Sequence, residues 1–225
     1  GRRRHPTRVT RVTLTPATRM GLSIAVAVGL YGVSFGALGV AAGLSVWQTQ
    51  VFSLVMFTGG SQFAFIGAGG GPAGAVSALL LGVRNLVYAA ELKGQLRPPP
   101  ALWPLTAQMT IDESFATAVA QDDPAEKRRG FWTAGTGIFV TWNLFTLVGA
   151  LVGASLGSPR TYGLDGAAVA AFLGLLWPRL AGGDAIATGI VCAVVTIALV
   201  PLLPNGVPLL VAAAVAAGIG IGRGR

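Results

Sequence analysis

Arg84 lies near the middle of one apolar stretch of the chain, and Asp112 and Glu113 near the middle of another. A charge at the centre of a bilayer costs about 2.5–3.5 kcal/mol on insertion scales, so such residues are kept for ion or substrate pathways, or as each other's partners. Arg84 carries a planar fork that fits a carboxylate. Its partner is either a substrate carboxylate or one of Asp112 and Glu113. The two acids are adjacent, so on a helix they diverge by about 100° and cannot both face one ligand squarely. One can pair with Arg84 while the other carries a proton, a role to which carboxylates in apolar surroundings are suited. The competing reading is a static ion-pair network.

Three further polar groups accompany them. Thr58, Ser61 and Gln62 are spaced i, i+3, i+4 and share a helix face, beside Gly59-Gly60. Two adjacent glycines weaken a helix by about 1 kcal/mol each relative to Ala, and transporters use such breaks to expose backbone groups to a substrate. A kink or close packing is the plainer alternative. Ser77, Arg84, Tyr88 and Glu91 fall on one stripe, which must face protein or water. Thr136, Asn143 and Thr146 form a third polar face, read as the opposite wall of a cavity.

The elements that must position these groups are membrane helices. Of 225 residues, 53% are hydrophobic and 11% charged, with a mean hydropathy of +0.68; a soluble domain carries about 25% charged residues. Eight apolar segments can be drawn: 21–42, 47–68, 72–92, 104–120, 131–156, 166–181, 184–202 and 207–222. Pro72 and Pro104 suit first helical turns, and Trp47, Trp103, Trp132 and Trp177 fall at segment ends as an aromatic belt. Trp142 sits mid-segment, as packing or as pocket wall. The expected fold is an all-α polytopic transmembrane bundle of about eight segments, the fourth also readable as re-entrant. Residues 1–20 form a basic cytoplasmic tail and 21–225 a single transmembrane domain.

Loop charge bears on the fourth segment. With eight crossings and the N-terminus inside, twelve basic residues lie inside and three outside. If 104–120 does not cross, the split is seven against eight, so the positive-inside rule prefers eight. Small-xxx-small spacings at Gly32/Gly36, Gly39/Gly43, Gly149/Gly153/Gly157 and Gly218/Gly222 read as helix-packing seams, some of which can face a second subunit. A basic stretch before a glycine-seamed helix recurs ahead of 21–42 and 131–156, which hints at an internal repeat of four segments each.

The net charge of +8 follows from basic tails and loops and is no sign of nucleic-acid binding. The single cysteine, Cys192, and the single histidine, His5, leave no disulfide framework, no thiolate or histidine metal site and no Ser–His triad in the apolar core. No cofactor is expected. Asp165 and Asp184 stand at segment starts, where acids complement helix dipoles, and Ala181-Gly182-Gly183-Asp184 lacks the pattern of an intramembrane aspartyl protease. An enzyme is therefore not expected. No P-loop pattern is present, which leaves ATP coupling within the chain without support. A non-transporting assembly or sensor subunit is the alternative function.

Ordered motifs along nearly the whole chain resemble the AzlC family, the large subunits of bacterial branched-chain amino-acid exporters. They are Ser34-Phe35-Gly36 with Gly39, Phe57-Thr58-Gly59-Gly60-Ser61-Gln62-Phe63, Arg84 through Tyr88, Asp112-Glu113-Ser114-Phe115, and Gly163-Leu164-Asp165 followed by Phe172 and Trp177-Pro178. Gly82, Asn85, Ile111 and Thr58 depart from the usual family residues. The resemblance implies export of branched-chain or similar apolar amino acids across the bacterial inner membrane, energised by the proton gradient, with a small AzlD-type membrane subunit as partner. On that view Thr58, Gly59, Gly60, Ser61, Gln62, Arg84, Tyr88 and Asn143 contact substrate, and Asp112 and Glu113 couple protons.

Overall fold

Thr15 starts the first helix: its hydroxyl accepts the amide of Thr18, and Pro16 occupies the first helical position. The helix therefore begins inside the stretch expected to be tail. The computed structural model describes residues 14–156, 173, 176–177, 180–204 and 207–223. The sixth segment, 166–181, and the motif at Asp165 lie almost wholly outside the described residues.

Among these residues the chain is helical, without strands. Helices α1 (Pro16–Gly29) and α2 (Tyr31–Ala41) run on through Leu30. They are followed by α3 (Val46–Val55), α4 (Gly59–Gly67), α5 (Gly71–Leu96), a 3-10 turn (Pro100–Leu102) and α6 (Trp103–Gln108). Next come α7 (Asp112–Val119), α8 (Pro124–Ser155), α9 (Gly183–Leu199) and α10 (Val207–Arg223). Among the described residues, three spans are long and apolar enough to cross a membrane: Pro16–Ala41, Gly71–Leu96 and Pro124–Ser155. Their outward sides carry exposed Val26, Leu79, Leu86, Val140 and Leu151.

The long helices set two ends for the bundle. We call lower the end where α1 begins. Contacts climb in step along α1–α2 and α8: Gly21 beside Thr133, Gly29 beside Thr141, Gly36 beside Thr146, and Gly153 beside Ala37. The two spans are therefore parallel, and both start at the lower end. Close approach requires the glycines. A Cβ at Gly36 would fall on the carbonyl of Thr146, and one at Gly149 on the carbonyl of Val33. The seams predicted at Gly32/Gly36 and Gly149/Gly153 thus pack against each other. Helix α5 runs the opposite way. Its end is tied to the start of α8 by Lys127 Nζ donating to Gln95 Oε1 at 3.1 Å.

The segments between these spans depart from the expected crossings. Phe52 of α3 and Phe65 of α4 would be about 20 Å apart on a continuous helix, yet their ring centroids are 4.8 Å apart. Gln62 also reaches back to the carbonyls of Ser53 and Met56. Segment 47–68 is therefore a helical hairpin that descends from the upper end, turns at Met56–Thr58 and returns. Consecutive left-handed glycines, Gly69, Gly70 and Gly71 (φ 80°, 70° and 59°), then reverse the chain into α5.

Segment 104–120 mirrors it from below. Helix α6 leaves the lower end against the last turns of α5, with Trp103 and Thr106 sharing a groove with Leu92, Lys93 and Leu96. The chain turns at Met109–Ile111, beside Gly135 of α8. Helix α7 then descends parallel to α5, with Asp112 at Arg84 and Tyr88 stacked on Phe115 at 4.3 Å. It ends with Gln121 near Met20 at the start of α1. At 47–68, where one continuous segment was expected, the chain instead turns back on itself; at 104–120 it also turns back, as the re-entrant alternative had it. The reason is physical in both: three unwound residues reverse the chain, and the short helices on either side pack against the long ones, α3 and α7 against α8 and α4 against α5.

Candidate functional site

The two hairpin tips meet. Gln108, the last residue of α6, donates through Nε2 to the carbonyls of Leu54 (2.9 Å) and Val55 (3.3 Å), which α3 leaves unpaired at its end. Each tip is also braced from within. Gln62 Nε2 donates to the Met56 carbonyl at 2.6 Å. Ser114 Oγ donates to the Met109 carbonyl at 2.6 Å and accepts the Ile111 amide at 3.0 Å.

Around the tips lies a cavity of about 390 Å³, lined by Val28, Tyr31, Phe57, Thr58, Gly59, Gly60, Phe63, Leu81, Arg84, Ile111, Asp112, Glu113, Ile138, Trp142 and Leu176. Its chemistry is concentrated at one spot. Arg84 Nη2 and Asp112 Oδ2 are 2.7 Å apart, with side chains 19% and 32% exposed. Arg84 Nε and Asp112 Oδ1 are buried without a hydrogen-bond partner. A Cβ at Gly60 would stand 2.8 Å from Arg84 Nη2, so the guanidinium end lies against the start of α4 and would have to shift for a larger residue there. That helix has no side-chain cap, since Thr58 makes no capping bond. Its first amides therefore form an electropositive end at the cavity.

The remaining wall is apolar and rigid. Trp142 is 4% exposed. Its Nε1 donates to Gln62 Oε1 at 3.0 Å, and its ring stacks 6.3 Å from that of Phe35. A Cβ at Gly59 would come within 2.8 Å of its ring, so this glycine also makes room.

Of the residues singled out in the sequence, Thr58, Gly59, Gly60, Arg84, Asp112 and Glu113 line the cavity. Four lie behind it. Ser61 is buried against α5 near Gly82. Gln62 joins the tip to Trp142. Tyr88 stacks on Phe115. Asn143 donates to the Phe139 carbonyl at 2.8 Å. The third polar face does not form the cavity wall: Thr136 is exposed and bonds to the Trp132 carbonyl, while Thr146 is buried against Ser53. Ile138 and Trp142 supply that wall instead. Gln108 and Ser114 carried no signal as site residues. Their positions, just before and after a break inside an apolar segment, are what marks them.

Opposed helical hairpins around a cavity, held between helices long and apolar enough to cross a membrane, are consistent with a membrane transporter component. The AzlC protein family model matches residues 23–156, more than half of the chain, and the chain belongs to that family. No curated protein and no solved structure matches it.

Proposed function

We propose that the chain is the large subunit of a two-component secondary transporter that exports branched-chain or similar apolar amino acids, coupled to the proton gradient. The observation that carries this reading is the half-satisfied Arg84–Asp112 pair in an aromatic-walled cavity. A zwitterion fits the charges that line the cavity: its carboxylate faces the Arg84 guanidinium and the first amides of α4, and its ammonium faces Asp112, with Glu113 beside it. An apolar side chain then rests against Phe57, Phe63, Ile138 and Trp142, the usual mixture of a few polar anchors in an apolar site. Proton uptake by a carboxylate at this spot loosens its hold on both Arg84 and the ammonium, which links release to the gradient.

Loop charge supports an inner-membrane orientation with the lower end cytoplasmic. Of the seven described basic residues in the first 156, all except Arg84 fall in segments that open at the lower end. The upper connections, 42–45 and 68–70, have none. With both hairpins re-entrant, residues 16–155 cross three times. The exposed apolar sides of the bundle are available to lipid and to a small AzlD-type subunit.

The test is efflux of valine, leucine, isoleucine and methionine from dipeptide-loaded cells expressing the chain with and without its small partner. Uncoupler-sensitive efflux that needs both chains is the expected result. No efflux with both chains verified in the membrane contradicts transport and favours an assembly or sensor subunit. Normal pH-dependent efflux by Asp112→Asn and Glu113→Gln variants contradicts the proton role.

A further inference from the structure

Residues 16–67 and 71–119 repeat one plan. Each begins with a 26-residue helical span whose first turn holds a proline, Pro16 or Pro72. Each continues through a short connection into a half-helix and then into a three-residue break that starts with methionine, Met56 or Met109. In each, the third residue of the returning half-helix is a serine, Ser61 or Ser114. The first unit starts at the lower end and the second at the upper, so the two are related by inversion.

The units differ at that serine. In the second, the Ile111 amide donates to Ser114 Oγ, which donates onward to the Met109 carbonyl. In the first, the relay is bypassed. The Thr58 amide donates directly to the Met56 carbonyl at 2.8 Å, and Gln62 holds the same carbonyl. Ser61 Oγ is left without a partner, although Ser61 is only 1% exposed. Buried hydroxyls are normally bonded, so an orphan at this position calls for a reason.

We propose that the two hairpins are alternating gates that exchange these two tip forms, and that Ser61 and Ser114 are the positioning residues of the exchange. In the opposite state Ser61 takes the Thr58 amide and the Met56 carbonyl, Gln62 releases the tip, and Ser114 becomes the orphan. Inverted units that swap conformations around a central site give access from each side in turn. The hydroxyl stabilises only the state in which it is bonded.

The proposal rests on the transport reading, and the test separates the two. In the full chain with its partner, carrying Cys192→Ser and the cavity-wall change Leu81→Cys, reaction with an impermeant thiol reagent is measured from each membrane face. Both faces are expected to label in this background. Adding Ser61→Ala holds the present state and lowers labelling from one face at least tenfold, with thermal stability unchanged or raised. Adding Ser114→Ala lowers labelling from the other face instead. Unchanged two-face labelling after Ser61→Ala, or the same bias from both changes, overturns the exchange and leaves transport standing. Labelling from one face in the background, unmoved by either change, overturns alternation and the transport reading with it.

Discussion

Arg84 and Asp112 bond through one nitrogen and one oxygen and leave one buried atom each unpaired. Replacing one member strands the other in apolar surroundings. Asp112→Asn is expected to cost about 2–3 kcal/mol of stability, somewhat less than for a fully buried pair. Adding Arg84→Gln restores the thermal transition of the purified complex without restoring efflux. A double variant no more stable than Asp112→Asn alone would contradict this. Both charges, with Glu113 and the glycine pair, were legible in the sequence because charges and paired glycines are out of place in an apolar run. Ser61, Gln62, Tyr88 and Asn143 were assigned to the cavity by helical spacing. For Ser61 and Gln62 that spacing assumed one helix through 47–68, and the break at Met56–Thr58 resets its phase. Tyr88 and Asn143 keep helical phase but find nearer partners, in Phe115 and the Phe139 carbonyl.

At the scale of elements, the glycine seam between α2 and α8 holds the parallel spans together and, with them, the wall that carries Trp142. The atoms facing Gly36 and Gly149 are backbone carbonyls, which cannot rotate aside as a side chain can. Gly36→Val is expected to separate the helices at a cost of at least 2–3 kcal/mol (an approximate figure for overpacking) and to sharply reduce folded protein recovered from the membrane. Recovery and melting equal to the parent would contradict the seam. The seam of Gly32/Gly36 with Gly149/Gly153 could be read from the sequence because small residues four apart line one helix face, but the same spacing also marked Gly43, Gly218 and Gly222, which meet no neighbour among the described residues. The hairpin at 47–68 could not. A returning half-helix has the same hydropathy as a continuing one, and only tertiary contacts such as Phe52–Phe65 distinguish them.

For the whole molecule, the charge distribution was visible from the start, but its use depended on how many segments cross. Counting 47–68 as a crossing made a re-entrant 104–120 look unfavourable. With both segments folded back, the described basic residues up to Arg129, Arg84 apart, lie at one end. The repeat suspected from the sequence had units of four segments, beginning at 21–42 and 131–156; the plan repeated among the described residues runs over 16–67 and 71–119 instead. Its units are a span and a hairpin each, and α8 packs along the first and beside the second. The two hairpins enter from opposite ends and meet at the cavity. The most direct measurement is sided labelling of single cysteines in a Cys192→Ser background, at Ala42→Cys, Pro72→Cys, Ala101→Cys and Asp122→Cys. The fold predicts that Ala42→Cys and Pro72→Cys label from the periplasmic face, and Ala101→Cys and Asp122→Cys from the cytoplasmic face. If Ala42→Cys and Pro72→Cys label from opposite faces, segment 47–68 crosses the membrane and the opposed-hairpin account is wrong.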